Sequence, residues 1–472
     1  MDVRTRIAPS PTGEDLHIGN IYTGLINFAF AKKNNGKFII RIEDTDRARL
    51  VKGSEERILA SLKKFGLNYD EGPDIGGPFS PYRQSERKDI YLKYAEELIK
   101  KGAAYYCSCS KEKLEELKAK GEGFKRHSSI CSAEKAESFV IRLKVPDNKD
   151  IIFEDLIRGK ITINTNQIDD QIIIKSDGFP TYHLAVVVDD TLMKISHVIR
   201  AEEWISSTPK HVLIYEALGF SLPQFAHVPL LRNTDKSKLS KRGNSVWASW
   251  YLEQGFLPEA IINFLALMGW SHPEGKEIFT LDEFIQKFEL KDINVAGPVF
   301  DLTKLEWMNG QYIRKTPEPE LKTQILNYLK SISSGSLDHP TEEEVERVIP
   351  LVKERIKKLS DFIPLTDFLF EKPEYEKEIF EKLKIPNLKE VLTKILEILE
   401  KMEKPWKAED FEKTFRKLSI GKDLSATEVF QLIRVTISGQ TVTPPLFESI
   451  KILGEEETIN RVKGVLNTQA IV

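Results

Sequence analysis

The chain has 472 residues, of which 41% are hydrophobic and 30% charged, with a formal net charge of −3. That length exceeds a single ordinary core and implies roughly three or four compact units. The balance excludes a disordered chain, no apolar run is long enough to span a bilayer, and the small net charge excludes a polyanion partner held by global electrostatics alone.

Val3 to Ala8 alternates apolar and basic residues as a strand does, and no basic leader or apolar signal region stands before it, so a cytoplasmic protein is expected. The loop Pro9-Ser10-Pro11-Thr12-Gly13 follows, then a helical run from Ile18 to about Asn34 and a buried strand from Phe38 to Ile42. Strand, loop, helix and strand in that order form a right-handed βαβ unit, which makes the fold class α/β with a parallel sheet of the Rossmann nucleotide-binding type. Past Pro81 come a helix from Ser85 to Lys101, a cysteine segment, and strand-like pieces at Ser138 to Val145 and Gln171 to Lys175. These read as an insertion between two halves of the sheet. Apolar strands and a helix (Pro209 to Leu218) between Tyr182 and Leu231 complete that sheet, and from about Pro317 to Val472 the pattern is helical, for example Asn387 to Met402. The boundaries expected are 1–82, 83–181, 182–233, 234–316, 317–386 and 387–472.

Two loops carry chemistry. His17-Ile18-Gly19-Asn20 opens the first helix directly after the first strand, where free N–H groups and the helix dipole favour phosphate, Gly19 lets a nucleotide approach the backbone, and His17 can donate to a phosphoryl oxygen. Lys238-Leu239-Ser240-Lys241-Arg242 follows the apolar segment Val228 to Leu231; its two lysines, three apart in a loop, can close over a triphosphate and neutralise charge as pyrophosphate leaves. Either loop alone is weak, since a tripeptide recurs by chance and a charge run is usually a solvated face. Together they flank the two halves of one expected nucleotide-binding sheet. The three cysteines are an odd number for a disulfide framework and fall in one stretch. Cys107-x-Cys109 followed by His127-x3-Cys131 supplies four ligands suited to a closed, tetrahedral structural zinc site.

The segment Arg6-Ile7-Ala8-Pro9-Ser10-Pro11-Thr12-Gly13 before HIGN, then Arg41-Ile42-Glu43-Asp44-Thr45-Asp46, then KLSKR, resembles bacterial-type glutamyl-tRNA synthetase, a class I aminoacyl-tRNA synthetase. The similarity extends to Tyr82-Arg83-Gln84-Ser85, to Pro180-Thr181-Tyr182-His183-Leu184-Ala185, to Arg200-Ala201-Glu202-Glu203-Trp204, and to Gly439 and Pro444-Pro445-Leu446 near the carboxyl end. It implies an ATP-dependent ligase that activates L-glutamate with Mg²⁺-ATP and passes it to the terminal ribose of tRNA(Glu). The catalytic candidates are His17, Lys238 and Lys241. The resemblance adds Thr12, Gly19, Glu203, Leu231 and Ser240 as nucleotide-site groups, and Arg6, Ala8, Ser10, Glu43, Tyr182 and Arg200 as glutamate contacts, with Glu43 on the ammonium. Arginine forks and a carboxylate are what selection of a dicarboxylic amino acid over uncharged glutamine requires. One departure is Val186, where relatives commonly carry asparagine four residues after the tyrosine; another is His127, which falls at a tyrosine position of the relatives' cysteine pattern.

On the same resemblance, 83–181 is an acceptor-end-binding insertion, 234–316 contacts the tRNA stem, and the helical half reads anticodon bases. Lys353-Glu354-Arg355-Ile356-Lys357-Lys358 on a predicted helix is one candidate phosphate patch. A monomer is expected. The alternatives are a glutamyl enzyme that also charges tRNA(Gln), a glutaminyl enzyme, a nucleotidyltransferase with the same loop and no RNA partner, and a non-catalytic RNA-binding relative. The long helical half opposes the nucleotidyltransferase, the intact His17, Gly19, Lys238 and Lys241 oppose the dead copy, and a carboxyl half without alternating β pattern opposes the glutaminyl form.

Overall fold

The computed structural model describes residues 2–119, 127–128, 131, 135–239, 246–332, 340–416 and 424–468. Two compact units divide it, one comprising 1–252 and 258–305, the other 253–257 and 306–472. Within the described residues no helix is long and apolar enough to cross a membrane.

The first unit begins with strand β1 (Arg4–Ile7), helix α1 (Ile18–Lys33) and strand β2 (Lys37–Ile40), and β1 and β2 pair in parallel. Helix α1 stops where Asn34, Asn35 and Gly36 turn the chain back, and Asn35 takes a positive φ that asparagine tolerates. Helix α2 (Ser54–Lys64) follows, and α3 (Lys88–Lys100) runs into the antiparallel strands β3 (Ala104–Cys107), β4 (Val140–Leu143) and a later β7 (Ile172–Ile174). A short helix α4 (Lys111–Ala119) follows β3. Strands β5 (Asp150–Asp155) and β6 (Gly159–Asn164) make a hairpin that the sequence pattern did not announce.

Helix α5 (Tyr182–Leu192), strand β8 (His197–Ala201), helix α6 (Thr208–Leu218) and strand β9 (Gln224–Val228) return to the nucleotide-binding layer. Strands β8 and β9 pair in parallel and β5 joins β9, so the hairpin within 83–181 extends this sheet rather than standing apart from it. Strand β8 also lies beside β1: the Ser196 N–H donates to the Arg4 carbonyl at 3.0 Å, and the Arg4 N–H to Ser196 Oγ at 2.7 Å. The carboxyl ends of β1, β2 and β8 therefore open on one side, where ligands of such sheets sit.

Two expectations fail locally. Between Tyr182 and Leu231 apolar strands and one helix were expected, but a second helix, α5, opens the stretch; burial on all sides of Leu184 to Val188 removes the alternation that separates helix from strand, and β-branched valines are a misleading signal. The basic segment 353–358 lies past the end of a helix (Glu342–Val352) that carries an internal Pro350; it forms a turn whose Lys357 and Lys358 N–H groups donate to Asp361 at 2.8 and 2.9 Å. The secondary structure of the second unit is otherwise helices joined by loops, with no strand among its described residues, as expected, and a core around Leu392, Ile395, Phe415, Leu432 and Val462.

Candidate active site

Two cavities adjoin at the carboxyl ends of the first unit's parallel strands. The smaller, about 120 Å³, is lined by Arg6, Ala8, Glu43, Tyr182, Arg200 and Trp204 among others. The larger, about 270 Å³, is lined by His17, Gly19, Leu230, Leu231, Lys238 and Leu239. Asn20, Thr23, Ala201 and Glu203 line both. Of these four only Glu203 was expected; Asn20 and Thr23 lie on the first turn and a half of α1, at the spacing that puts both on the face above Gly19. Thr12 and Ser10 belong to the loop before α1 and are not among the lining residues.

His17 caps α1, and its Nδ1 accepts the Gly19 N–H at 3.0 Å. Burial and then the nearby Lys238 charge lower its pKa, so the ring is neutral and its proton is on Nε2. A neutral donor at a helix N-terminus suits a phosphoryl oxygen. Gly19 has a steric reason too: a Cβ there would stand 3.1 Å from His17 Nδ1.

The second loop approaches from across the cleft. Leu239 N–H donates to the Leu231 carbonyl at 3.1 Å, and Lys238 pairs with Glu203 at 2.5 Å. Ser240 and Lys241 fall in 240–245, outside the described residues. The chain beyond them is pinned to the first loop: Ile18 N–H donates to the Val246 carbonyl at 2.7 Å, Ala248 N–H to the Leu16 carbonyl at 2.8 Å, and His17 bridges Trp247 antiparallel. Trp247 also explains Gly13, where a Cβ would meet the indole at 2.6 Å. Both flanks of the lysine loop thus border the helix that His17 begins.

The smaller cavity is charged on both signs. Arg6 donates from Nε and Nη2 to Asp190, at 3.1 Å each, and Asp190 also accepts from Arg41 Nη1 at 2.7 Å. The neighbouring Asp189 accepts from Arg87 Nε at 2.7 Å, Tyr91 at 2.8 Å and Gln84 at 2.9 Å. This buried pair on α5 went unread in the sequence, although two consecutive aspartates ending an otherwise apolar run are the signal that would have found them. Glu43 is only 14% exposed and its Oε1 lies 3.6 Å from Arg41 Nη2, an ion pair too long for a hydrogen bond, so among the described residues both atoms are buried without a hydrogen-bond partner. Burial raises the Glu43 pKa to about 7, against the downward pull of Arg41 and Arg6. A cationic group entering the cavity would satisfy that oxygen. Tyr182 packs on Trp204 with ring centroids 4.2 Å apart. Val186 is 2% exposed within the core cluster and is absent from the lining, so the loss of asparagine there falls on the core side of α5.

Elsewhere in the first unit, Cys107, Cys109, His127 and Cys131 come together with all ligand atoms within 4.8 Å of one another. Cys107 Sγ is 3.1 Å from His127 Nε2, and Cys109 Sγ is 3.8 Å from Cys131 Sγ. Three thiols and an imidazole at that spacing are the donor set of a closed tetrahedral zinc site. Burial pushes the Cys107 thiol up, but the His127 contact, the Cys109 N–H and Arg142 outweigh it and bring it down to about 6, toward the thiolate that metals bind.

Comparison with known proteins agrees with this geometry. Residues 2–307 match the family described as tRNA synthetases class I (E and Q), catalytic domain, and residues 320–466 match an anticodon binding domain. A glutamate–tRNA ligase of Thermus thermophilus is 45% identical over 98% of this chain and 100% of its own length, and that of Acidothermus cellulolyticus is 44% identical over 98% and 95%. A crystal structure of a glutamate tRNA ligase from Elizabethkingia meningosepticum, in complex with its amino acid, superposes with a TM-score of 0.84 at 36% identity, covering 99% of this chain and 100% of that one.

Proposed function

The chain belongs to the glutamate–tRNA ligases, within the class I tRNA synthetases for glutamate and glutamine, and from that premise we propose that its two adjoining cavities carry out the first step of joining L-glutamate to tRNA(Glu). Glutamate occupies the smaller cavity. Its ammonium pairs with Glu43, and its carboxylates meet the Arg6 and Arg200 forks beside Tyr182, Ala8 and Ser10. ATP occupies the larger, its triphosphate between the N-terminus of α1 and the lysine loop, with Thr12, Gly19, Glu203, Leu231 and Ser240 around it.

The glutamate α-carboxylate attacks the ATP α-phosphorus; a carboxylate oxygen–phosphorus bond forms as the bond to pyrophosphate breaks, leaving glutamyl-adenylate. No enzyme nucleophile is needed, so the protein contributes alignment and charge stabilisation. His17 donates from Nε2 to a phosphoryl oxygen, and Lys238 and Lys241 neutralise the departing pyrophosphate. Magnesium accompanies ATP as part of the substrate and spreads phosphate charge. In the second step a hydroxyl of the terminal ribose of tRNA attacks the activated carbonyl and releases AMP. The helical unit, which contains the anticodon-domain match, reads the other end of the tRNA. Zinc held by Cys107, Cys109, His127 and Cys131 ties the insertion together and supplies no chemistry to the reaction.

One observation carries this reading. A cavity bearing two arginines and a carboxylate meets a cavity bordered by both phosphate loops, and four residues are shared between them. The test is aminoacylation of purified tRNA(Glu) and tRNA(Gln) with glutamate and with glutamine. Glutamate on tRNA(Glu) is the expected product. Glutamate on tRNA(Gln) as well identifies the non-discriminating form, and charging with glutamine alone contradicts the assignment.

A further inference from the structure

Arg200 differs from Arg6 in how its charge is treated. Arg6 is neutralised by the buried Asp190, whereas Arg200 has no ion pair among the described residues. Its Nε–H donates to His227 Nε2 at 3.1 Å, Nη1 to Tyr182 Oη at 3.1 Å and His211 Nδ1 at 3.2 Å, and Nη2 to Thr208 Oγ1 at 2.8 Å. Four of five guanidinium N–H groups are thereby used on neutral partners. One Nη2 hydrogen and the whole charge remain.

A guanidinium only donates, so each imidazole nitrogen facing it must present a lone pair. That requirement fixes the tautomers. His227 carries its proton on Nδ1 and donates it to Asp155 Oδ2 at 2.6 Å. His211 carries its proton on Nε2 and donates it to His183 Nδ1 at 3.0 Å. Asp155 is itself held, its other oxygen accepting the N–H groups of Ile157 and Arg158 at 3.0 Å each. His227, His211, Thr208 and Asp155 are all at most 3% exposed. Burial, reinforced by the Arg200 charge, lowers the pKa of both His227 and His211, which keeps the rings neutral.

We propose that His227 and His211, oriented from behind by Asp155 and His183, are positioning residues that hold Arg200 among neutral partners, so that its unpaired charge is reserved for a carboxylate of glutamate. The proposal rests on the assignment of the smaller cavity to glutamate. The cradle explains why the chain surrounds this cation with imidazoles rather than carboxylates: an acidic partner in direct contact would compete with the substrate carboxylate for the guanidinium. Asp155 acts through the ring by dictating which nitrogen of His227 faces the arginine, the role an aspartate plays toward histidine in hydrolytic triads.

The test is ATP–pyrophosphate exchange by full-length variants in the presence of tRNA(Glu), with KM measured separately for glutamate and ATP. Asp155→Asn keeps shape but presents an amide N–H to His227 Nδ1, driving the proton to Nε2 against the Arg200 Nε–H. The expected result is a rise of roughly tenfold to a hundredfold in KM for glutamate, with KM for ATP unchanged. His211→Asn, whose amide oxygen replaces the Nδ1 lone pair, should stay within about threefold of wild type, whereas His211→Leu should resemble Asp155→Asn. Thermal melting checks each fold, and the two His211 variants decide the matter if Asp155→Asn does not fold. A wild-type KM for glutamate in folded Asp155→Asn, an equal rise in both KM values, or failure of His211→Asn as severe as His211→Leu would each overturn the proposal. Failure of the wild-type chain to exchange with glutamate would instead overturn the cavity assignment beneath it.

Discussion

Glu43 is the residue where burial and function oppose each other most directly. Its carboxyl titrates near 7 because the cavity removes water faster than Arg41 and Arg6 restore favourable charge. In the proposed role the substrate ammonium pairs with the ionised form, which predominates above that pH and is lost below it. From pH 8 to pH 6 the KM for glutamate should therefore rise, by roughly tenfold if Glu43 is the only group titrating; Glu43→Gln should raise KM at every pH and flatten the profile. A wild-type KM independent of pH over that range would contradict the role. Lys241 gives a second prediction. Lys241→Ala should lose several kcal/mol of transition-state stabilisation, seen as roughly a hundredfold or greater fall in exchange rate, with an unchanged melting temperature. Near wild-type turnover would remove it from the mechanism. That His17, Gly19, Glu43 and Arg200 line the two cavities was legible, because motif spacing and strand ends name them. Asn20, Asp190, His211 and His227 were not, since their importance comes from partners up to 184 residues away in sequence, as with Asp190 and Arg6, which no local pattern encodes.

Among the elements, α5 holds the catalytic layer together. Its two aspartates bind arginines from β1, from the residue after β2, and from the turn before α3, so one helix sets the orientation of three neighbours. Asp189→Ala would leave Arg87, Tyr91 and Gln84 without their shared acceptor in a site of zero exposure. Removing one side of such a buried pair costs about 3–5 kcal/mol, and urea denaturation should show it; a loss under about 1 kcal/mol would mean that water enters and replaces the carboxylate. The strand β3 and the cysteine cluster give the insertion its own prediction. Protein purified without chelator should contain about one zinc per chain, and Cys131→Ser should lose it and lower the melting temperature. Elemental analysis finding no zinc would dismiss the site. Strand β1 was readable from its alternation and β2 from a short apolar run bounded by turn residues. Helix α5 was not foreseen because complete burial erases the period, and the β5–β6 hairpin was missed because an exposed Ile152 stands between buried Ile151 and Phe153, which blurs the alternation.

At the scale of the molecule, the division near residue 306 separates a mixed α/β unit with both cavities from a helical unit with none of the cavity-lining residues described above. The α/β class and the helical half were legible because long stretches of constant period survive local errors; the contact division itself falls inside helix Leu302–Lys315, where no break in pattern marks it. The proposed reaction depends on an arrangement in space, in which two distant signature loops and the arginine-rich cavity serve one activated intermediate. A crystal structure with a non-hydrolysable glutamyl-adenylate analogue bound is the decisive measurement. The glutamyl part should lie between Arg6, Glu43 and Arg200, the phosphate beside His17 Nε2, and the nucleoside in the larger cavity next to Leu231. An analogue bound elsewhere, or with its amino-acid part outside the reach of both arginines, would contradict it.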